Sequence, residues 1–400
     1  MTSAPHRRFL ILSAGMGSGH DTVARELAER LEAAGHQVIQ ADVLELLPAR
    51  IGGGLRATYR KVIERVPVLY AGIYRIFFRA GGGLRPSSAP LAALAERRLL
   101  ELARLHRADV VVSVFHLAAQ VAGRLRARGA LDVPSAVVMT ELEAHRQWLH
   151  PGNDLYLCHT EEIAADITKE TGCQAAGNGP LVSPRFGQGQ PALGARADRW
   201  RRDLSPDGRP LVLLSTGAWG IGSSLARTAR LLNRAGYAPA VLCGENKRLH
   251  RRLSALPEVR VLSWVEDMPA LMQAASALID NAAGQTAMEA LASGLPVVGY
   301  RPIPGHGADG VRLMARLGLS NYARDEEELL SSLWALARPG TTRERRIAAG
   351  RAMFRRAAIA PLIDLGTGEP TTKSMGRTAK GMERTAKGMG RTTKGMGQPR

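Results

Sequence analysis

The stretch Phe9-Leu-Ile-Leu-Ser-Ala-Gly15-Met-Gly-Ser-Gly-His20 decides the fold. Phe9–Ser13 reads as a buried β-strand that runs without a spacer into the glycine-rich Gly15–His20. Val23, Leu27 and Leu31 then recur every four residues, which gives an amphipathic helix ending at Gly35. Strand, glycine loop and helix in immediate succession open a parallel sheet. The glycines let backbone approach a ligand, and the helix start offers free amides and a partial positive charge. The loop is not the dinucleotide fingerprint, because His20 stands at the third glycine position, and it lacks the lysine of a phosphate-binding Walker loop. Taken alone, His20 reads equally well as a plain helix-start residue.

Outward from this unit, Val38–Ala41, Val110–Val114, Ala136–Thr140 and Leu155–Cys158 read as strands separated by helical patterns. Pro184–Pro210 breaks the rhythm with glycine, proline and charge, and it restarts at Leu211–Ser215, Pro239–Leu242, Val259–Leu262, Leu278–Asp280 and Val297–Gly299. The prediction is an α/β protein of two Rossmann-like domains facing across a cleft, 1–185 and 210–340, joined by a linker at 186–209. Residues 341–362 are read as a helix returning to the N-terminal domain. Ligands of such sheets bind beyond the carboxyl ends of the strands.

The chain of 400 residues carries a net charge of +18, of which +7 lies in Thr371–Arg400, with eight basic residues and one acidic. The +11 elsewhere points to an anionic surface or substrate. Arg377, Arg384 and Arg391 each open a seven-residue repeat with one apolar residue, too few for a coiled-coil seam, so 363–400 is predicted to be a disordered basic tail. No apolar run is long enough to cross a membrane or to form a signal-peptide core, so a cytoplasmic protein is predicted. Cys158, Cys173 and Cys243 are widely spaced, which argues against both zinc and a disulfide framework.

A second strand-to-glycine-loop unit, Leu211–Ser215 followed by Thr216-Gly-Ala-Trp-Gly-Ile-Gly-Ser223, matches the first, so two such loops can face each other with a ligand between them. The most specific segment is Asp280–Pro296, in which Gly284 permits a turn, Thr286 opens a helix, Glu289 sits in its first turn, and Gly294 and Pro296 stop it. Thr286-x-x-Glu289 is a capping box that needs no ligand. The same helix start can receive a diphosphate while the carboxylate accepts hydrogen bonds from ribose, and the capping and binding readings are compatible.

With these residues in hand, the chain resembles the monogalactosyldiacylglycerol synthase and processive diacylglycerol glucosyltransferase family over roughly residues 8 to 320. It is more distantly similar to the peptidoglycan lipid-intermediate N-acetylglucosaminyltransferase; all share the GT-B fold. The matching features are Gly15–His20, Thr140–His145 with Trp148, Gly217–Gly222, Cys243–Asn246, Val265–Met268, Gly284–Pro296 and Pro304–Gly310. The resemblance implies inverting transfer of a hexose from a UDP-sugar to a lipid hydroxyl, diacylglycerol or a glycosylated derivative, without a bound metal or resident cofactor. It makes His20 the general base, with Glu141 and His145 as an alternative base or as orienters. On the donor side it implies Gly217, Trp219, Gly220, Gly222, Asn246, Val265, Met268, Gly284, Gln285, Thr286, Glu289, His306 and Asp309. Gly17, Gly19 and Trp148 fall on the acceptor side. Two departures stand out: Glu141 replaces the usual aspartate, and His306 with Gly307 replaces an amide-bearing pair that would contact the hexose.

Leu55–Arg85 holds five of the chain's 18 aromatic residues and seven basic ones against the single acid Glu64. Tyr70, Tyr74, Phe77 and Phe78 interleaved with Arg75 and Arg79 suit an interfacial helix on anionic lipid, which predicts a peripheral enzyme at the inner face of the cell membrane. No groove-reading motif accompanies these residues, so a nucleic-acid partner is not expected. A soluble acceptor, and a catalytically inactive nucleotide-sugar-binding regulator, stay open as other readings of the same fold. The choice of sugar and the oligomeric state stay open too.

Overall fold

A computed structural model describes residues 6–48, 50–78, 87–187, 191–355 and 359–365. Six parallel strands make the first sheet: β1 (Arg8–Ser13), β2 (Gln37–Asp42), β3 (Val110–Ser113), β4 (Ser135–Val138), β5 (Leu155–Cys158) and β6 (Gln174–Gly177). Their order is β2-β1-β3-β4-β5-β6. Six more make the second: β7 (Leu211–Ser215), β8 (Ala238–Leu242), β9 (Arg260–Leu262), β10 (Ala277–Asp280), β11 (Val297–Tyr300) and β12 (Ser320–Ala323), in the order β12-β11-β10-β7-β8-β9. Chain order reverses between β1 and β3 and again between β7 and β10. Each reversal opens a crevice at the carboxyl ends of the strands.

The first half also contains α1 (Ser18–Ala33), α2 (Ile51–Arg65), α3 (Pro67–Phe77), α4 (Ala89–Leu105), α5 (His116–Ala127) and α6 (Glu161–Thr171). The second contains α7 (Pro191–Leu204), α8 (Leu225–Arg234), α9 (Lys247–Ser254), α10 (Met268–Ala274), α11 (Gln285–Ser293), α12 (His306–Arg316), α13 (Glu326–Leu336) and α14 (Thr341–Ala352). Of a separate unit, residues 360–400, only the short helix α15 (Ala360–Leu365) is described. Positions 366–400, where the repeat tail was expected, lie outside the described residues.

Strands β1, β3, β4, β7 and β10 are buried along nearly their whole length, as parallel strands covered by helices on both faces must be. Their continuous apolar runs made them readable. The two strands that the sequence does not announce, β6 (Gln-Ala-Ala-Gly) and β12 (Ser-Asn-Tyr-Ala), are outer strands and partly exposed. One paired side and one covered face leave neither an apolar run nor strict alternation to detect.

The 186–209 segment is not a linker. Within it, α7 presents Ala197, Trp200 and Leu204 at helical spacing to the core of the second half, and it packs along α10. Arg201 donates to the carbonyls of Ala274 (3.3 Å) and Gln273 (2.8 Å), closing the carboxyl end of α10. Nor does α14 return to the N-terminal half; it packs against α11 and α13, where Gly350 meets Leu291 and Met353 and Phe354 join the core. No described helix is long and apolar enough to cross a membrane.

Candidate functional site

The cleft between the two crevices is lined from the first half by Gly19, His20 and Thr140–Glu143, and from the second by Ala282–Gln285, His306 and Gly310. His20 lies in the first turn of α1, directly after the glycine loop, where Gly17 takes φ +120° as the residue before the helix. Gly15 is held by a bond from its amide to Asp42 (3.1 Å), and Arg56 crosses over it to pair with the same carboxylate. A Cβ at Gly15 would lie 2.9 Å from the guanidinium, so a side chain there would push Arg56 aside.

The His20 tautomer follows from its partners. Nδ1 lies 3.0 Å from the carbonyl of Val114 and 2.9 Å from the Thr140 hydroxyl. A carbonyl can only accept, so Nδ1 carries the proton and Nε2 keeps its lone pair. Burial lowers the imidazole's pKa, opposed by the charge of Glu141, so the ring is neutral near pH 7. A neutral histidine with a bare Nε2 is the form a general base needs. Glu141 pairs with His145 (3.3 Å). Burial works against ionisation of Glu141, yet the charge and hydrogen bond of His145 prevail and hold it well below the usual carboxylate range. An ionised Glu141 favours positive charge on a protonating His20.

Across the cleft, α11 starts at Gly284, which has no side-chain cap. Thr286 is already inside the helix, so the predicted capping box does not form, and among the described residues no side chain accepts from the amides of Gln285 and Thr286. Asp280 shapes the preceding turn by accepting from the amides of Ala282 (2.9 Å) and Ala283 (2.6 Å). Gln285 donates to the Leu181 carbonyl (3.1 Å). Burial raises the pKa of Glu289 to about 8, opposed by Arg185 and a bond with Gln285. Val265 and Met268, at the amino end of α10, pack on the same core.

His306 opens α12, and its Nδ1 is bonded to the Tyr70 hydroxyl (2.5 Å), which leaves Nε2 for the cleft. Burial keeps Tyr70 a phenol and lowers the pKa of His306. Asp309, one turn on, binds Arg312 (3.1 Å), and its charge together with burial raises the pKa of Glu143, which accepts from Tyr74 (3.2 Å).

Several residues stand elsewhere than the sequence suggested. Tyr70 and Tyr74 do not face outward: they are 4% and 2% exposed and fill the seam between the halves. A Cβ on Gly305 would come within 2.8 Å of the Tyr74 ring. Phe78 stacks on Tyr74 at 5.2 Å and meets His145 edge-on at 4.9 Å. The exposed large hydrophobics of α2, α3 and the residue between them are aliphatic, Ile51, Val66, Leu69 and Ile76, beside exposed Lys61 and Arg75, with Phe77 half-buried. Arg79 lies outside the described residues.

Trp148 is fully buried among core side chains, 6.5 Å from the His20 ring, so it backs the site instead of touching an acceptor. Trp219 leans on α2, edge-on to Tyr59 (5.9 Å) and under Arg60 (5.7 Å). Gly217 has open space at its Cβ position, whereas Gly220, Gly222 and Asn246 line a different cavity from the His20 cleft.

Thr140 as a partner of His20 is not legible in the sequence, and neither are two further histidines, half-buried His116 and buried His159. His116 follows β3 at the switch point, 5.3 Å ring to ring from His145, and burial lowers its pKa well below the ordinary value. His159 follows β5, and burial lowers its pKa to about 4. Their position just past strand ends was the available signal. Among the described residues, no group of three or more His, Cys, Asp or Glu is arranged to hold a metal ion. All three cysteines are buried and free.

Residues 20–175 match the family model described as monogalactosyldiacylglycerol (MGDG) synthase. The chain is 26% identical over 353 residues to a processive diacylglycerol beta-glucosyltransferase of Bacillus subtilis (strain 168), covering 83% of this chain and 87% of that protein. It superposes on the crystal structure of Acinetobacter baumannii MurG with a TM-score of 0.56 at 16% identity, over 91% of this chain and 99% of the other. A UGT transferase from Siraitia grosvenorii, in complex with UDP, gives 0.59 at 13% identity, over 90% and 100%. The family resemblance read from the sequence is borne out, and the fold is GT-B.

Proposed function

We propose that this chain is an inverting glycosyltransferase of the glycolipid synthase type, moving a hexose from a UDP-sugar to a lipid hydroxyl, diacylglycerol or a glycosylated derivative. The observation that carries the reading is the convergence of a neutral His20 with a bare Nε2, an ionised Glu141 and the uncapped start of α11 in one cleft.

The acceptor hydroxyl gives its proton to His20 Nε2, while its oxygen attacks C1 of the hexose from the face opposite the diphosphate. The C1–O bond to the β-phosphate breaks, its electron pair leaves with UDP, and configuration at C1 inverts. Glu141 stabilises the imidazolium as it forms, and Gln285 and Thr286 offer amides to the departing diphosphate. Glu289 binds the ribose, Val265 and Met268 lie by the base, and Nε2 of His306 faces the hexose. Every step is carried by side chains and amides of the protein, with the nucleotide sugar as a substrate and no resident cofactor.

The lipid acceptor is supported by the names of the relatives and by exposed Leu69 and Ile76, seven residues apart on one face of α3, beside exposed Val66 and Arg75. Such a face suits shallow insertion at the surface of an anionic membrane from the cytoplasmic side. A screen of UDP-sugars against lipid and soluble acceptors, read by product mass, tests the reaction. Glycosylated diacylglycerol is the expected product; UDP binding without transfer to any acceptor sinks the reading. Leu69→Glu with Ile76→Glu abolishes sedimentation with anionic vesicles but leaves UDP binding intact; unchanged sedimentation removes the membrane face.

A further inference from the structure

Two acids line the His20 cleft, Glu141 and Glu143. Glu141 is committed to His145, whereas no basic side chain pairs with Glu143 among the described residues. Glu143 follows β4 at the carboxyl edge of the first sheet, half-buried, with His306 and Gly310 of α12 on the opposite wall. Its Oε2 accepts from the Tyr74 hydroxyl (3.2 Å). Burial keeps Tyr74 a phenol, and its ring is stacked on Phe78, so the hydroxyl is a fixed donor. That bond sets the orientation of the carboxylate and leaves Oε1 without a partner among the described residues. Burial and the charge of Asp309 raise the pKa of Glu143, and they outweigh the Tyr74 bond and the charge of His145. A carboxylate held out of water with nothing to balance it is costly unless a ligand supplies hydrogen bonds.

We infer that Glu143 is a specificity-determining residue for the donor hexose, with Oε1 accepting from a sugar hydroxyl inside the cleft; the inference rests on the transfer reaction proposed for this chain. Charge decides which part of the reacting complex Glu143 can take. A carboxylate repels the diphosphate, whose place is at the amides of Gln285 and Thr286. It needs a hydrogen-bond donor, because an ionised carboxylate only accepts. Diacylglycerol brings one hydroxyl, whose proton goes to His20, and its ester groups accept only. The hexose is neutral, carries several hydroxyls, and lies between His20 and the start of α11 for attack at C1. Glu143 lines that same space. A hydroxyl bound to a charged acceptor makes one of the stronger hydrogen bonds, and a site built around it rejects a sugar that lacks the group, because the carboxylate is then left desolvated and unpaired. Tyr74 acts through Glu143, as a positioning residue.

Calorimetric titration of the full chain with UDP, UDP-glucose and UDP-galactose, and with monodeoxy analogues of the tighter-binding hexose, one for each hydroxyl, tests the assignment without turnover. In the wild type one analogue is expected to bind about tenfold or more weakly than its parent. In Glu143→Ala the parent loses about as much, that analogue loses nothing further, and UDP affinity stays within about twofold. A merely structural role does not produce this non-additivity. Glu143→Gln keeps part of the parent's affinity, because its amide oxygen still accepts, and Tyr74→Phe costs about two- to fivefold with the analogue still penalised. Should Glu143→Ala fail to fold, the isosteric Glu143→Gln and the wild-type series carry the test. Analogues that all bind as the parent does overturn the assignment, as do penalties that persist undiminished in the Glu143 variants. Equal losses of UDP and UDP-hexose affinity reduce Glu143 to a structural residue, and a change confined to the KM for diacylglycerol moves it to the acceptor; either overturns the assignment. A wild type that binds these donors but transfers none to any acceptor fails the transfer reaction, and the affinities still decide for or against Glu143.

Discussion

The loops Gly15–His20 and Thr216–Ser223 each follow the first strand of a sheet and lead into a helix at a switch point, yet they end differently. In the first, Asp42 and Arg56 fix the loop from behind, and its open side delivers His20 to the cleft. In the second, Asn281 and Asn246 donate to the carbonyls of Ile221 (2.9 Å) and Trp219 (3.2 Å), and the half-buried Trp219 ring leans on Tyr59 of α2. The same local pattern therefore gives a loop that lines the His20 cleft in the first half and a loop that lines a separate cavity in the second. In the second half it is the start of α11, after β10, that lines the His20 cleft.

The contrast can be broken or sharpened by substitution. His20→Ala has the largest expected effect, lowering kcat by about 10² to 10⁴-fold with UDP affinity nearly unchanged, as steady-state kinetics and calorimetry can show. A kcat within about threefold of the wild type would return His20 to a helix-start residue.

Glu289→Gln is expected to raise the donor KM by about tenfold. The wild-type donor KM should fall as pH rises through about 8, because the ionised carboxylate is a stronger acceptor for the ribose hydroxyls than the neutral acid, and the variant profile should be flat. The sign for stability is opposite. The folded chain holds this proton up to about 8 whereas the unfolded one loses it in the ordinary carboxyl range, so the contribution to stability falls across that window. Denaturant titrations at several pH values should show that slope in the wild type and lose it in Glu289→Gln.

Tyr70→Phe removes the bond to His306 and should weaken donor use about two- to tenfold, read as a KM increase with little change in kcat. The smallest effect is expected from Trp219→Ala. It should leave UDP affinity within about twofold while costing ~1–2 kcal/mol of stability through lost packing on Tyr59. A tenfold loss of UDP affinity there would place the second loop in the donor site and dissolve the contrast between the two loops.

The sequence was most legible where one local requirement fixes the residue type. Central strands need continuous apolar runs, which β1, β3 and β7 supply, and the four-residue spacing of Val23, Leu27 and Leu31 announces α1. Legibility failed where a role depends on a distant partner. The face of α7 was hidden in a segment rich in arginine and glycine, since its apolar residues make sense only against α10. The aromatics of α3 read as membrane anchors because composition reports that they are amphipathic, not which surface they cover.

His20 shows the division within one residue. The sequence placed a histidine at the end of a glycine loop after a buried strand, and local geometry made that the first turn of a helix in a crevice. Only the tertiary structure decided its chemistry. Val114 and Thr140, 94 and 120 residues away along the chain, hold Nδ1, and ionised Glu141 and the bare start of α11 complete the cleft. Periodicity reports contacts within a turn or a strand, whereas the protonation state of a buried ring is set by whichever groups folding brings against it.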